Sequence, residues 1–449
     1  MNKCIMTAVC GLAFTTASAQ TKALPDRPNI LLILVDDLGY GDLSCQHSTK
    51  DVHTPNIDKV LNEGIRFTNF YANCPVSSPS RAALMTGRYP DLVGVPGVVR
   101  PQFDSNYGYL SEDAILLPEM LKKKKYHTAL IGKWHLGYEA PNVPTMRGFE
   151  YFKGFLGGMV DDYYKHERFG YGMYENLEPI KPQGHATDLL GNWAIEYIKD
   201  RKDLEDPFFL YLAFNAPHSP VQPPQEWYEK VRKRELHISD KRAKLVALIE
   251  HLDYNIGRVY KTLEDGNMLS NTIILFASDN GGQASSESCN LPFRGAKEDM
   301  YEGGIHVAGG IYWKGHILPQ VNDNFVLLFD YFPTLCELAG VPVEQKIDAI
   351  SILPLLRGEK QKTDERMVYW ARREGGPKYG GQDYYAARYK DMKILQNTPY
   401  EPIQFFNVKT DFSEKSPIEN HSSSEYKELY NGLSKHISKA GAIPWQKNK

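Results

Sequence analysis

Five apolar, β-rich runs each stop at a polar cluster, and this constrains the fold more than any other feature of the chain. Asn29 to Val35 runs into Asp36-Asp37, and His127 to Ile131 runs into Gly132-Lys-Trp-His135. Phe208 to Phe214 runs into Asn215-Ala-Pro-His218, and Thr272 to Ala277 into Ser278-Asp-Asn-Gly-Gly282. The fifth, Gly64 to Tyr71, leads to Ser77. Runs that are apolar at every position need cover on both faces, as strands of a largely parallel sheet have. Helical stretches such as Leu117 to Lys124 and Ala243 to Asp265 lie between them as crossovers. In an open sheet of this kind ligands bind beyond the carboxyl ends of the strands, where all five polar clusters fall.

From Pro342 to Gly358 the pattern changes. Short strands are expected at Met367 to Arg372, Tyr384 to Arg388 and Met392 to Gln396, then a helix from about Ser424 to Ala440, with a glycine-rich loop from Gly376 to Gln382. The expected fold is α/β: a large, mostly parallel sheet flanked by helices over residues 20–358, and a smaller antiparallel sheet plus helix over 359–449. Met1-Asn-Lys3, the apolar stretch Ile5 to Ala13 and Ala17-Ser-Ala19 read as a secretory signal peptide at residues 1–19. No later stretch is long enough to span a bilayer, so an exported periplasmic or extracellular protein is expected. With 42% hydrophobic residues the chain can bury a large core, and a net charge of -3 excludes a broad basic footprint for nucleic acid. Cys45, Cys74, Cys289 and Cys336 lack zinc-like spacing; one or two disulfides and separate buried thiols are both open.

Ser77 sits at a strand-to-helix turn, with Ser78 able to cap and Pro79 suited to the first turn. The free N–H groups and positive dipole end there favour an anion, and Arg81, four residues on, returns a fixed positive charge to the same face. Taken alone, the same string also describes an ordinary capped helix. Asp36, Asp37, Asp279 and the amide oxygen of Asn280 form an oxygen-only set suited to a hard divalent ion, with Ca²⁺ favoured over Mg²⁺ by the number of protein oxygens. Lys133 and His135, two apart, point to one side of an extended segment, and His218 and Lys297 complete a cationic and titratable group.

These pieces, in order, resemble the formylglycine-dependent type I sulfatases of the alkaline phosphatase superfamily. They are Val35-Asp-Asp-Leu-Gly-Tyr-Gly41, Ser77-Ser-Pro-Ser-Arg81 with Thr86-Gly-Arg88, Gly132-Lys-Trp-His-Leu-Gly137, Ala216-Pro-His218, Ser278-Asp-Asn-Gly281, and Arg294-Gly-Ala-Lys297 with Glu302-Gly-Gly304. The resemblance implies that Ser77 is oxidised to formylglycine and that its hydrate attacks sulfur. It assigns Ca²⁺ to Asp36, Asp37, Asp279, Asn280 and residue 77, and neutralisation of the sulfate oxygens to Lys133 and Lys297. His218 is the acid for the departing sugar oxygen, Arg81 steadies the diol, and His135 is the base that lets the hydrate collapse and expel sulfate. Serine rather than cysteine at position 77 implies a serine-type sulfatase-maturing enzyme as a transient partner.

The implied substrate is a sulfated carbohydrate: a glycosaminoglycan, mucin-type or other sulfated glycan. Gly157 to His166, including Asp162 and His166, and the run Trp370 to Arg373, including Arg372 and Arg373, are candidate pocket walls. His306 stands in Ile305-His-Val-Ala308, where the family more usually has arginine and proline, and is a further candidate contact. A phosphonate or phosphodiester hydrolase on the same scaffold, or an inactive glycan-binding homologue, are the alternatives.

Overall fold

A computed structural model describes residues 24–374 and 382–446. The expected signal peptide and most of the Gly376 to Gln382 loop lie outside these residues. The strands are β1 (Asn29–Asp36), β2 (Ile65–Tyr71), β3 (His127–Lys133), β4 (Tyr151–Phe155), β5 (Met173–Glu175), β6 (Glu178–Ile180) and β7 (Phe208–Pro217). They continue with β8 (Thr272–Ser278), β9 (Gly309–Tyr312), β10 (Gln320–Leu327), β11 (Val368–Glu374), β12 (Gln382–Tyr389), β13 (Met392–Gln396) and β14 (Gln404–Asn407). The large sheet has the order β10-β2-β9-β8-β1-β7-β3-β4-β5-β6, and β11 to β14 form a separate four-stranded sheet in sequential order.

At the centre of the large sheet, β8, β1, β7, β3 and β4 pair in parallel. Strand β9 runs antiparallel to both β8 and β2, so β2 points the same way as the central strands. All five expected strands therefore end at one edge. Strands β9, β10 and β4 to β6 escape the periodicity because they are short, glycine-bearing or polar, as in Gly-Gly-Ile-Tyr and Gln-Val-Asn-Asp-Asn.

Strand β1 shows why both sheet faces must be covered. Ile30, Leu32 and Leu34 join one core cluster while Leu31, Ile33 and Val35 join another, as the alternation of side chains requires. The first cluster is roofed by the helices Ser77–Thr86, Leu117–Lys122 and Tyr331–Leu338, and the second by Pro55–Asn62, Ala186–Asp200 and Asp240–Asp265. In the last of these, Asp253 accepts from the N–H groups of Asn56 and Ile57 at 3.0 and 2.7 Å, satisfying donors at the start of the helix Pro55–Asn62. The small sheet is antiparallel throughout and carries the helix Ser424–Ala440 against Ala387, Ile394 and Phe405. No helix among the described residues is long and apolar enough to cross a membrane. The four described cysteines are free thiols.

Gly132, at the end of β3, holds a left-handed φ of 115°, and a Cβ there would overlap the carbonyl oxygen of Ala213 on β7. Its missing side chain lets β3 close on β7 just before Lys133. Replacing it should both strain the backbone and force the strands apart. Gly132→Ala is expected to cost about 2–4 kcal/mol of unfolding free energy, read as a lowered urea midpoint with an unchanged slope.

Candidate active site

Because β8, β1, β7 and β3 are neighbours, their polar ends lie side by side. Asp36 pairs with Pro217 across β1 and β7, and Val35 with Ser278 across β1 and β8. Ser77 enters from β2 as the first residue of the helix Ser77–Thr86. The start of that helix differs from expectation. Val76 is the N-cap, without a side-chain bond, and Ser78 does not cap, because its hydroxyl instead accepts from the N–H of Val99 at 3.0 Å. The residue freed from capping is Ser77 itself. Its Oγ donates to Asp36 Oδ1 at 2.9 Å and lies 3.3 Å from Asn280 Oδ1.

Three carboxylates converge there. Asp36, Asp37 and Asp279 are at most 2% exposed. Lys133 Nζ donates to Asp36 Oδ2 at 2.6 Å, and Lys297 Nζ to Asp37 Oδ2 at 2.7 Å. The guanidinium fork of Arg81 grips Asp279 Oδ2 at 3.0 and 2.8 Å. Burial opposes charge on Asp36, yet Lys133 and His218 hold its carboxyl below the usual range. Burial likewise opposes charge on Asp37, and His218 and Lys297 outweigh it. Burial and the neighbouring Asp36 push Asp279 up in spite of Arg81. Each carboxylate thus has a cationic partner, and the all-oxygen set of three aspartates and an asparagine offers the donors that suit a hard divalent ion.

The two histidines differ in environment. His218 Nδ1 donates to the carbonyl of Ser219 at 2.7 Å, leaving Nε2 to accept from Lys297 Nζ at 3.0 Å. Burial holds its pKa below the ordinary value even though Asp37 pulls the other way. His135, with a φ of 60°, is held well below the ordinary range by burial and then by Lys133 and Arg81, so it is neutral. Its ring fits because residue 158 is glycine; a Cβ at that position would overlap the imidazole. Asp37 also has a left-handed φ, 64°, so two functional candidates occupy a conformation that non-glycine residues seldom adopt.

Ser77, His135, His218 and Lys297 line one cavity of about 390 Å³, a size suited to a small ligand. Arg81 and Lys133 are fully buried beneath it. Among the candidate wall residues, Gly158 and Met159 line the cavity, but Asp162 and His166 do not. Asp162 Oδ1 accepts from the N–H groups of Tyr164 and Lys165, closing a turn, and His166 Nε2 donates to the carbonyl of Gly184. Arg372 and Arg373 are also outside the cavity. Arg372, 1% exposed, donates to the carbonyl of Glu298 at 2.9 Å, and Arg373 lies near Asp383 at 3.8 Å.

His306 lies in a separate cavity. The short turn of helix Glu302–Ile305 directs it toward Phe293, on which it stacks at 4.0 Å, and Nε2 donates to the carbonyl of Thr68. Beside it, Glu302 accepts from Tyr71 Oη at 2.5 Å and from Lys393 at 2.8 Å, while Lys393 also donates to Glu414. Arg294 donates to the Glu414 carbonyl, so the segment carrying Lys297 is tied at both ends to the small sheet and the loop after it. Among the cavity residues that the sequence does not single out are Arg100, Tyr138, Arg168 and Gln283. They sit on loops without periodicity; only the charge of the arginines signals them.

The family description "Sulfatase" matches residues 28–341, and "N-sulphoglucosamine sulphohydrolase, C-terminal" matches residues 296–442. N-acetylgalactosamine-6-sulfatase of Sus scrofa is 32% identical over 386 residues, covering 80% of this chain and 72% of that protein. Arylsulfatase A of Homo sapiens is 32% identical over 390 residues, covering 79% and 72%. The crystal structure of Ps i-CgsB in complex with k-i-k-neocarrahexaose superposes with a TM-score of 0.85 at 30% identity, covering 94% of this chain and 95% of that one. The matched span contains every strand end that meets at Ser77, and with this agreement the chain belongs to the sulfatase family and is a sulfatase.

Proposed function

We propose that this sulfatase removes sulfate esters from a sulfated glycan, using residue 77 in the formylglycine form. The observation that carries the reading is the shared cavity of Ser77, His135, His218 and Lys297, set over a cluster of buried carboxylates. Relatives named for N-acetylgalactosamine 6-sulfate, and a similar structure bound to a neocarrahexaose, support a carbohydrate as the substrate. Oxidised to formylglycine, residue 77 would supply a hydrated aldehyde with a second hydroxyl, which serine lacks. Asp36, Asp37, Asp279 and the Asn280 oxygen would hold Ca²⁺, whose charge offsets that of sulfate oxygens. Export through the N-terminal signal and modification by a serine-type maturing enzyme belong to the same proposal.

The chain's own groups fit distinct tasks. Lys297 and Lys133 present ammonium groups that share their charge between an aspartate and an incoming sulfate. His218 keeps its Nδ1–H on Ser219 and accepts at Nε2 from Lys297; as the acid it would take up a proton at Nε2, from Lys297 or from water, and pass that proton to the departing sugar oxygen. His135 is neutral, as a proton acceptor must be. Arg81 positions Asp279 and the carboxylate floor, and reaches Asp36 Oδ1 at 3.8 Å. The same guanidinium would steady the diol of residue 77, since Asp36 Oδ1 is also the atom that Ser77 Oγ bonds.

Coexpression with a serine-type maturing enzyme should yield protein that has lost two hydrogen atoms at residue 77 by peptide mass spectrometry. The same preparation should release sulfate from defined sulfated mono- or disaccharides. Ser77→Ala should lower that rate by on the order of 10³-fold or more; full activity with an intact serine hydroxyl would sink the mechanism.

His218→Ala should cost roughly 10²–10⁴-fold on a sugar sulfate and much less on a nitrophenyl sulfate, whose leaving group departs without a proton. Equal losses on both would remove the acid role. In chelator-stripped protein, added Ca²⁺ should raise the melting temperature, with about 2.7 kcal/mol of stabilisation at a hundredfold excess over Kd. Asp279→Asn should weaken that response.

A further inference from the structure

We infer that Tyr163 is a positioning residue for His218: its hydroxyl, reaching from the segment that also seats His135, fixes the place from which the leaving group is protonated. The inference rests on the acid role proposed for His218 and extends it to a side chain that does not line the cavity. His218 stands just past the end of β7. Its Nδ1–H bond to the Ser219 carbonyl and its N–H bond to the Asn215 carbonyl are both local to one turn. Tyr163 ties that turn to a distant part of the chain. Its Oη donates to the carbonyl of His218 itself at 2.8 Å and lies 3.1 Å from the carbonyl of Asn215.

Tyr163 is well placed to act as an anchor. It is fully buried, and its ring stacks on His185 with centroids 4.8 Å apart. Its N–H donates to Gln222 Oε1 at 2.8 Å, and its carbonyl accepts from the N–H of Ala186, the first residue of the helix Ala186–Asp200, at 2.8 Å. Burial, and then the charges of Asp36 and Asp37, push its pKa well above the ordinary tyrosine value, so the phenol keeps its proton and stays a donor. Any buried phenol needs an acceptor, and many carbonyls would serve. This one takes the main chain of the acid. The same segment meets the other histidine a few residues earlier, where the N–H of His135 donates to the Leu156 carbonyl at 3.0 Å and Gly158 leaves room for the imidazole. The stretch from Leu156 to Tyr163 thus touches the proton acceptor at one end and the proton donor at the other. Proton transfer needs hydrogen-bond distance to the reacting oxygen, so a small shift of the turn at His218 would be felt in the rate.

Matured Tyr163→Phe enzyme, assayed on a sugar sulfate and on a nitrophenyl sulfate, tests this. The variant should lose about tenfold or more in kcat on the sugar sulfate with KM little changed, and much less on the nitrophenyl sulfate, whose leaving group needs no proton. In a His218→Ala background the same substitution should cost less than about twofold on the sugar sulfate, because no acid is left to misplace. A tyrosine that only supports the fold would slow both substrates alike and would cost as much in the double variant as alone. Gln222→Ala, which removes the acceptor of the Tyr163 N–H at a half-buried position, carries the test with the same substrate dependence if Tyr163→Phe fails to fold. Equal losses on the two substrates, no loss on the sugar sulfate, or full additivity with His218→Ala overturns the inference. Equal losses in His218→Ala itself overturn the acid reading and the inference with it, whereas a selective loss there beside an equal or absent one in Tyr163→Phe overturns the inference alone.

Discussion

Three carboxylates cannot stay ionised side by side in a dry crevice unless cations share it, and this charge balance organises the end of the sheet. Asp36 and Asp37 are consecutive at the end of β1, and Asp279 arrives from the adjacent β8. Lys133, Lys297 and Arg81 reach them from β3, a loop and the helix Ser77–Thr86, each within 3.0 Å. Breaking any one of these pairs would leave an uncompensated buried charge, which is far costlier than losing a surface pair. Burial and the neighbouring Asp36 push Asp279 up even with Arg81 in contact.

Geometry distributes the load in a definite way. The left-handed turn at Asp37, just past the end of β1, parts the two carboxylates: Asp36 meets Ser77 and Lys133, while Asp37 meets Lys297 and lies 3.5 Å from His218. One carboxylate therefore steadies the nucleophile position, and the other steadies the side where a leaving group is protonated. Arg81, fully buried, holds the third carboxylate and reaches the Lys133 carbonyl at 3.3 Å. It is a strut under the site. Its sequence spacing from Ser77 pointed to the same helix face, but only packing could show that the guanidinium is taken up by Asp279.

The fold and the reactive centre were legible for one reason: strands of a parallel sheet deliver their carboxyl ends to a common edge, so residues far apart in sequence meet there. Asp36, Asp279, Lys133 and His218 could be gathered from hydrophobic runs alone. The walls could not. Asp162 reads as a plausible sugar contact but spends its carboxylate on two backbone donors, and His306 is drawn to Phe293 and the Thr68 carbonyl. Arg100 and Arg168 lie on irregular loops, and no periodicity announces tertiary contacts such as that of Arg100 with Glu374. Likewise Ser78 reads as a cap until Val99 claims its hydroxyl.

The bonds around Glu302 give the small sheet a second meaning. Lys393 on β13, Glu414 in the loop after β14 and Arg388 on β12 connect, through Glu302 and Tyr71, to the segment that carries Lys297. The C-terminal family match begins at residue 296, so it includes that lysine. Lys297, which both family matches include, is thus braced from the small sheet as well as from the large one, where its N–H donates to the Gly282 carbonyl. Exchanging C-terminal units between homologous chains would carry the setting of Lys297 with the graft, and a seam cut in the linker before β11 would divide a lever from its fulcrum.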